Sequence, residues 1–103
     1  MSYDEKNYRL EDFEFVWHIP KANSNLADHG VSFEEGAEVF LDPHKTMIGI
    51  RKTDYGEVRP AVVGMVRNVP LLVVYTLRHG KIRIISVRKA HKNERKKYRG
   101  IQA

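Results

Sequence analysis

The chain contains no cysteine among its 103 residues. This absence excludes disulfides, thiol nucleophiles and cysteine-ligated zinc together. Long apolar runs are also missing, since none approaches the ~18 residues that a membrane-spanning helix requires. The first residues lack the basic flank and apolar core of a signal peptide. We therefore expect a cytoplasmic protein.

Common catalytic and cofactor signatures are absent as well. The sequence has no Walker loop, no GxGxxG and no GxSxG motif. Its five histidines show no HxH or HxxxH spacing; they are His18, His29, His44, His79 and His91. With no cysteine to complete a ligand set, we expect neither a metal site nor a cofactor.

Positive charge, by contrast, is concentrated near the C-terminus. Residues 78–99 hold ten of the 18 Lys and Arg residues but one of the 13 acidic residues, which is a net charge of +9. The rest of the chain carries a net charge of −4. Such a concentration attracts polyanions, and its close spacing suits the phosphates of a nucleic acid. The alternative is an ordinary solvated helix face of Lys and Arg.

The hydrophobic pattern predicts one α+β domain over residues 13–103, preceded by a loose polar arm at residues 1–12. A capping box at Ser32 and Glu35 marks the second helix, and Gly30 closes the first. We predict a mainly antiparallel sheet with two N-terminal helices and one C-terminal helix. The predicted strands are 13–17, 46–50, 59–67, 71–77 and 81–87, and the predicted helices are 20–28, 32–41 and 89–99.

Several charged residues stand where strands are predicted. A period of two places Arg83 on the face of Val87, and Arg88 on the face of Ile82 and Ile84. An arginine inside a central strand either meets a carboxylate or faces an open site. Glu57 and Arg59, two residues apart, share a face as an ion pair. Glu57 is then either an ionised base among cations or half of a weak surface salt bridge.

The order of these motifs resembles the BrnT-type toxins of bacterial type II toxin–antitoxin systems, over residues 13–99. The matching N-terminal positions are Trp17, Lys21-Ala22, Asn25-Leu26, His29-Gly30-Val31, Phe33, Ala37, Val39-Phe40 and Asp42-Pro43. The matching C-terminal positions are Glu57, Arg59, Val63-Gly64, Leu72, Tyr75, Arg78, Arg83, Ser86, Arg88, Ala90, Glu94-Arg95 and Tyr98. The chain departs from the usual pattern at His18-Ile19 and at Asp28, where the family usually has Asp and Lys.

This resemblance implies a RelE-like fold and a ribonuclease that inhibits growth by cutting RNA without metal, with the ribose 2′-hydroxyl as nucleophile. It also implies a BrnA-like antitoxin with a ribbon-helix-helix domain, in a dimer of toxin–antitoxin heterodimers. A non-catalytic nucleic-acid-binding module is the alternative function, and a plain interaction protein is a third.

Site residues follow from the resemblance and from the chemistry together. We expect Arg78, Arg83 and Arg88 to contact phosphate, because guanidinium groups suit several oxygens at once. Glu57 is the candidate base, with His29 and Lys21 as alternatives for acid or base. His29 can also be a plain helix-end residue. The remaining candidates for RNA contact are Arg59, Arg95 and Trp17, and Trp17 can instead be a core residue.

Overall fold

The computed structural model describes residues 4–98 and has an α+β fold, as predicted. Ten elements follow one another along the chain. They are β1 (Glu5–Leu10), β2 (Phe13–His18), α1 (Ile19–His29), α2 (Phe33–Glu38), a 3₁₀ turn (Val39–Leu41), β3 (Thr46–Lys52), β4 (Val58–Val66), β5 (Val69–Arg78), β6 (Lys81–Lys89) and α3 (Lys92–Lys97). None of the helices in this part of the chain is long and apolar enough to span a membrane.

The six strands form one sheet in the order β1-β2-β6-β5-β4-β3. All neighbours are antiparallel except β2 and β6, which pair in parallel over a short stretch. The mainly antiparallel sheet is therefore confirmed. The apolar strand β5 lies inside the sheet, as expected, and β4 is also an inner strand. Pro60 accordingly marks the start of a strand rather than a sheet edge.

The N-terminal segment differs from the expected loose arm, because β1 pairs with β2 along its whole length. Tyr8 and Leu10 pack against the main core, and the Tyr8 ring lies 5.4 Å from that of Trp17. Two half-buried apolar side chains and a full ladder of hydrogen bonds thus hold a segment whose composition is mostly polar.

Both N-terminal helices pack on one face of the sheet. Gly30 ends α1 in the left-handed conformation, and Ser32 and Glu35 form the predicted capping box of α2. The buried amide of Asn25 bonds to the N–H and the C=O of Val87, on the part of β6 beyond its short pairing with β2. The main core lies between these helices and the sheet; its fully buried members include Phe15, Trp17, Phe33, Val39, Ile84 and Val87.

A β-bulge in the β5–β6 pair corrects the predicted faces of β6. Val74 pairs with Ser86 but the next residue, Tyr75, pairs with Ile84, so Ile85 is the extra residue. Ile84 and Val87 are therefore both in the main core. Arg83 and Arg88, which strict alternation assigns to opposite faces, both lie on the other side of the sheet.

That other face is covered only in part. Tyr98, at the end of α3, packs on Val63 and Leu72, and its hydroxyl donates to the Asp42 carboxylate. The same oxygen of Asp42, Oδ2, also accepts a hydrogen bond from the N–H of Met65 on β4, and Oδ1 accepts one from the N–H of His44. The helix α3 is shorter than predicted, and the predicted end at Arg99 lies outside the described residues. Beyond α3 the sheet face is open.

Candidate RNA-cleaving site

Four of the predicted arginines share the open sheet face, which we call the arginine face: Arg59, Arg78, Arg83 and Arg88. They come from three adjacent strands, β4, β5 and β6. The predicted hairpin turn at His79-Gly80 is observed, with positive φ at both residues, and it returns the chain so that Arg78 pairs with Lys81. Sheet register and the bulge therefore collect cations that are up to 29 residues apart in sequence.

Glu57 lies between two of these arginines. Its Oε1 accepts a 2.9 Å hydrogen bond from Arg59 Nε, and its Oε2 accepts one of 2.6 Å from Arg78 Nη2. The hydrogen bond from Arg78, and then the one from Arg59, lower the pKa of this carboxyl below its usual range. This geometry is compatible with both interpretations made from the sequence, a base among cations and half of a salt bridge. Arg59 also donates to the Tyr55 hydroxyl at 2.9 Å.

Arg83 meets a carboxylate and also faces an open site. Its Nη1 donates to Oε2 of Glu5, which the first strand supplies. The Arg83 side chain is 15% exposed, the lowest exposure among the arginines of this face. A guanidinium this well enclosed is held in one place, which is what contact with a transition state requires.

Arg88 forms a bidentate pair with Glu94 on α3, through two hydrogen bonds of 2.8 Å. Glu94 also accepts from the N–H of His91 and so caps its own helix. The bond from Arg88 is the main reason that the pKa of Glu94 falls to about 2. Arg88 therefore attaches α3 to the sheet as well as lining the open face.

An open cavity of about 320 Å³, the polar cavity, joins the arginine face to the start of α1. Five polar side chains line it: His18, Lys21, Arg59, Arg78 and Arg83. Pro20 in the first turn of α1 and the parallel β2–β6 pairing bring Lys21 and His18 to this place. The cavity thus combines three guanidinium groups with an imidazole and an amine, two groups that can act as proton donors or acceptors.

Three predicted site residues lie elsewhere. Trp17 is 1% exposed and packs edge-on against Phe33, so no ring face is available for a base, and the core alternative holds. His29 is at the far end of α1 and does not line the polar cavity. Arg95 is exposed on α3, and its guanidinium donates to the carbonyl of Ala90.

Sequence reasoning missed three residues at the site. Glu5 was assigned to a loose arm, and only pairing of β1 brings it to Arg83. His18 was passed over for lack of a metal motif, although it directly precedes α1. Arg51 pairs with Arg59 across β3 and β4, and its position directly after the predicted strand 46–50 was the available signal.

Among residues 4–98, no group of three or more His, Asp and Glu side chains could hold a metal ion. The carboxylates that do approach the arginine face, Glu5, Glu57 and Glu94, each bind a different set of guanidinium groups.

Comparison with known proteins assigns the family. No curated protein matches the chain significantly. The family model described as ribonuclease toxin, BrnT, of type II toxin–antitoxin system matches residues 17–94. This stretch includes the polar cavity and all four arginines of the arginine face, and it is well over half of the chain. The chain therefore belongs to the BrnT family of ribonuclease toxins of type II toxin–antitoxin systems.

Proposed function

We propose that the protein is a metal-independent endoribonuclease that inhibits growth, and that the polar cavity is its active site. The observation that carries the proposal is the convergence of Arg59, Arg78 and Arg83 on one cavity beside the carboxylate of Glu57. Attack of a ribose 2′-oxygen on phosphorus needs a base, a proton for the leaving 5′-oxygen and cations for the added negative charge. The cavity and the adjoining carboxylate of Glu57 together offer a candidate for each of these roles.

Arg78 and Arg83 hold the scissile phosphate in this proposal. Planar guanidinium groups bind two oxygens at once, and the charge on those oxygens grows as the five-coordinate phosphorus forms. Arg83 is enclosed and Arg78 is 46% exposed, so Arg83 is the better-placed contact for the transition state. Arg59 and Arg88 extend the contact along the RNA backbone.

Glu57 acts as the base on the 2′-hydroxyl. Its lowered pKa keeps the carboxylate ionised but also makes it a weak proton acceptor. A phosphate that binds Arg59 and Arg78 competes with Glu57 for their N–H groups. Because the carboxylate then loses the bonds that lower its pKa, it becomes a stronger base when the substrate is bound.

His18 and Lys21 are the groups in the cavity that can protonate the leaving oxygen. Imidazole is the side chain that most often serves as a general acid or base, which favours His18. Lys21 keeps its place from the sequence analysis as the alternative. His29 is not retained, because it lies at the C-terminal end of α1 whereas the cavity lies at the start of that helix.

The antitoxin is the second part of the proposal. Family membership implies an antitoxin partner. We propose that it is BrnA-like, with a ribbon-helix-helix domain, and that two toxin–antitoxin heterodimers associate. An antitoxin that presents acidic side chains to the arginine face competes directly with RNA phosphates, while apolar anchors supply most of its affinity. The likeness to RelE-type toxins stays a prediction from the resemblance.

The test is RNA cleavage by the purified toxin, freed of antitoxin and incubated in EDTA. Wild type should cut RNA, and Arg83→Ala should cut at least about 100-fold more slowly, as expected when one transition-state donor is lost. Arg67→Ala is the control, because Arg67 likewise pairs with a glutamate, Glu38, but in the turn at the other end of β4 and β5. Its rate should equal that of wild type.

Gel analysis also separates the rival functions. A non-catalytic nucleic-acid-binding module would retain the RNA intact, and a plain interaction protein would neither bind nor cut it. Expression in cells adds a second readout, since wild type should stop growth and Arg83→Ala should not. Normal growth with wild type and uncut RNA would refute the proposal.

A further inference from the structure

A second and larger cavity, of about 510 Å³, lies on the arginine face beside the polar cavity. We call it the mixed cavity, because its floor and its rim differ in chemistry. Aliphatic side chains form the floor, among them Ala61, Leu72, Val74 and Ile85. Guanidinium groups stand at the rim, from Arg51, Arg59 and Arg88.

Arg59 and Ile85 line both cavities, and Arg59 is the charged residue that they share. On one side of it the walls are cationic and polar, which suits a phosphate. On the other side the floor is apolar, which suits a flat, weakly polar group such as a nucleobase. The two cavities thus have complementary chemistry and share Arg59 and Ile85 as lining residues.

Arg51 gives the mixed cavity a cation that forms no ion pair with any carboxylate of residues 4–98. It pairs directly with Arg59 across β3 and β4, and like charges in this position destabilise a sheet. Glu57 partners Arg59, but within residues 4–98 Arg51 forms no ion pair. A cation placed against its neighbour in this way is ready for an anion from outside, such as a backbone phosphate next to a bound base.

We propose that the mixed cavity binds one unpaired nucleobase of the RNA substrate, next to the nucleotide whose phosphate lies in the polar cavity. The base rests on the aliphatic floor, and Arg51 and Arg59 hold the phosphates on either side of it. This inference rests on the proposed function and adds the substrate class, which is single-stranded RNA. A base inside a duplex is stacked and paired, and must leave the helix to reach such a floor.

Gly49 offers a direct test of this subsite. It lies on β3 opposite Ala61, lines the mixed cavity, and a Cβ added there would meet no atom within 4 Å. Its φ is not positive, so a larger residue fits the strand without backbone strain. Gly49→Phe therefore places an aromatic ring over the aliphatic floor, where the base is proposed to lie, and leaves every cation in place. Gly49→Ala, which leaves most of the space open, is the matched control.

The probes are two short fluorescent strands of 2′-O-methyl RNA with equal length and charge, one carrying bases and one abasic throughout. The 2′-O-methyl group removes the proposed nucleophile, so binding is measured without cutting. Wild type and Gly49→Ala should bind the strand with bases about tenfold more tightly, which corresponds to burial of roughly 60 Å² of base surface. Gly49→Phe should bind both strands equally, with the affinity that wild type has for the abasic strand.

Two results would overturn the subsite: equal binding of both strands by wild type, or full preference for bases in Gly49→Phe. Should Gly49→Phe fail to fold by circular dichroism, Ala61→Met fills the same space from β4 and must give the same loss. Cleavage of ordinary RNA by wild type is measured in parallel. If wild type cuts RNA but shows no preference for bases, the subsite alone is refuted. If wild type neither cuts nor binds RNA, the proposed function is refuted as well.

Discussion

The bidentate pair between Arg88 and Glu94 should make the stability of the fold depend on pH. Arg88 lowers the pKa of Glu94 from the ordinary 4.5 to about 2. Because the pKa is lower in the folded state, the ionised carboxylate stabilises the fold at all pH values above about 4.5. This contribution falls as the pH decreases further, and it is lost near pH 2, where the folded protein also binds the proton.

The size of this contribution follows from the shift and from the exposure of the pair. One pKa unit corresponds to ~1.4 kcal/mol, which sets an upper bound of about 3 kcal/mol. The side chains of Arg88 and Glu94 are 28% and 21% exposed, so water screens their attraction. We therefore expect a coupling energy of about 1–2 kcal/mol, or a decrease in Tm of about 4–16 °C when the pair is removed.

A double-mutant cycle with Arg88→Gln and Glu94→Gln, followed by urea unfolding, measures the coupling. It should reach about 1–2 kcal/mol at neutral pH and decrease steadily below about pH 4.5. The control cycle uses Arg67 and Glu38, an ion pair of similar geometry whose arginine is 64% exposed. Its coupling should stay below about 0.5 kcal/mol. Equal coupling in both cycles, or no decrease in acid, would refute the reasoning.

Two further predictions concern Glu57 and Tyr98. Glu57→Gln should bind RNA more tightly, because Arg59 and Arg78 lose a competing carboxylate. It should also cut RNA about 10²–10⁴-fold more slowly, because the base is lost. Unchanged cutting would show that the base lies elsewhere. Burial and the bond to Asp42 raise the pKa of Tyr98 to about 12. Wild type should therefore lose about 2 kcal/mol of stability as the pH rises from about 10 to 12, whereas Tyr98→Phe should not. Urea unfolding of both proteins across that pH range tests this prediction, and an equal loss of stability in both would contradict it.

Most of the strands could be predicted from sequence because residues that favour turns mark their ends. The turn at His79-Gly80 needs positive φ at two successive residues, and the structure has 52° and 77° there. The preceding hairpin turn falls on Arg67-Asn68, one residue before the predicted turn at Asn68-Val-Pro70. Asn is one of the few residues that adopts positive φ readily, so the signal was present but its position was misjudged.

The composition of the site depends on tertiary pairing that local patterns do not encode. Strict alternation divides Arg83 and Arg88 between the two faces of β6, and one extra residue at Ile85 unites them. The core residues of β6 indicate the bulge by their spacing. Ile84 follows Ile82 by two positions, as in a regular strand, but Val87 follows Ile84 by three. Glu5 had no such indication, since its role depends on β1 pairing with β2 and on β2 lying beside β6.

The same arginines serve the stability of the free protein and the proposed binding of RNA. In the free protein, each arginine of the arginine face forms an ion pair with a glutamate: Arg83 with Glu5, Arg59 and Arg78 with Glu57, and Arg88 with Glu94. An RNA phosphate must therefore replace a carboxylate rather than fill an empty position, and part of its attraction offsets the ion pair that it breaks. Removing one of these carboxylates should strengthen RNA binding and weaken the fold together. An antitoxin with acidic side chains faces the same competition, so apolar contacts must supply most of its affinity.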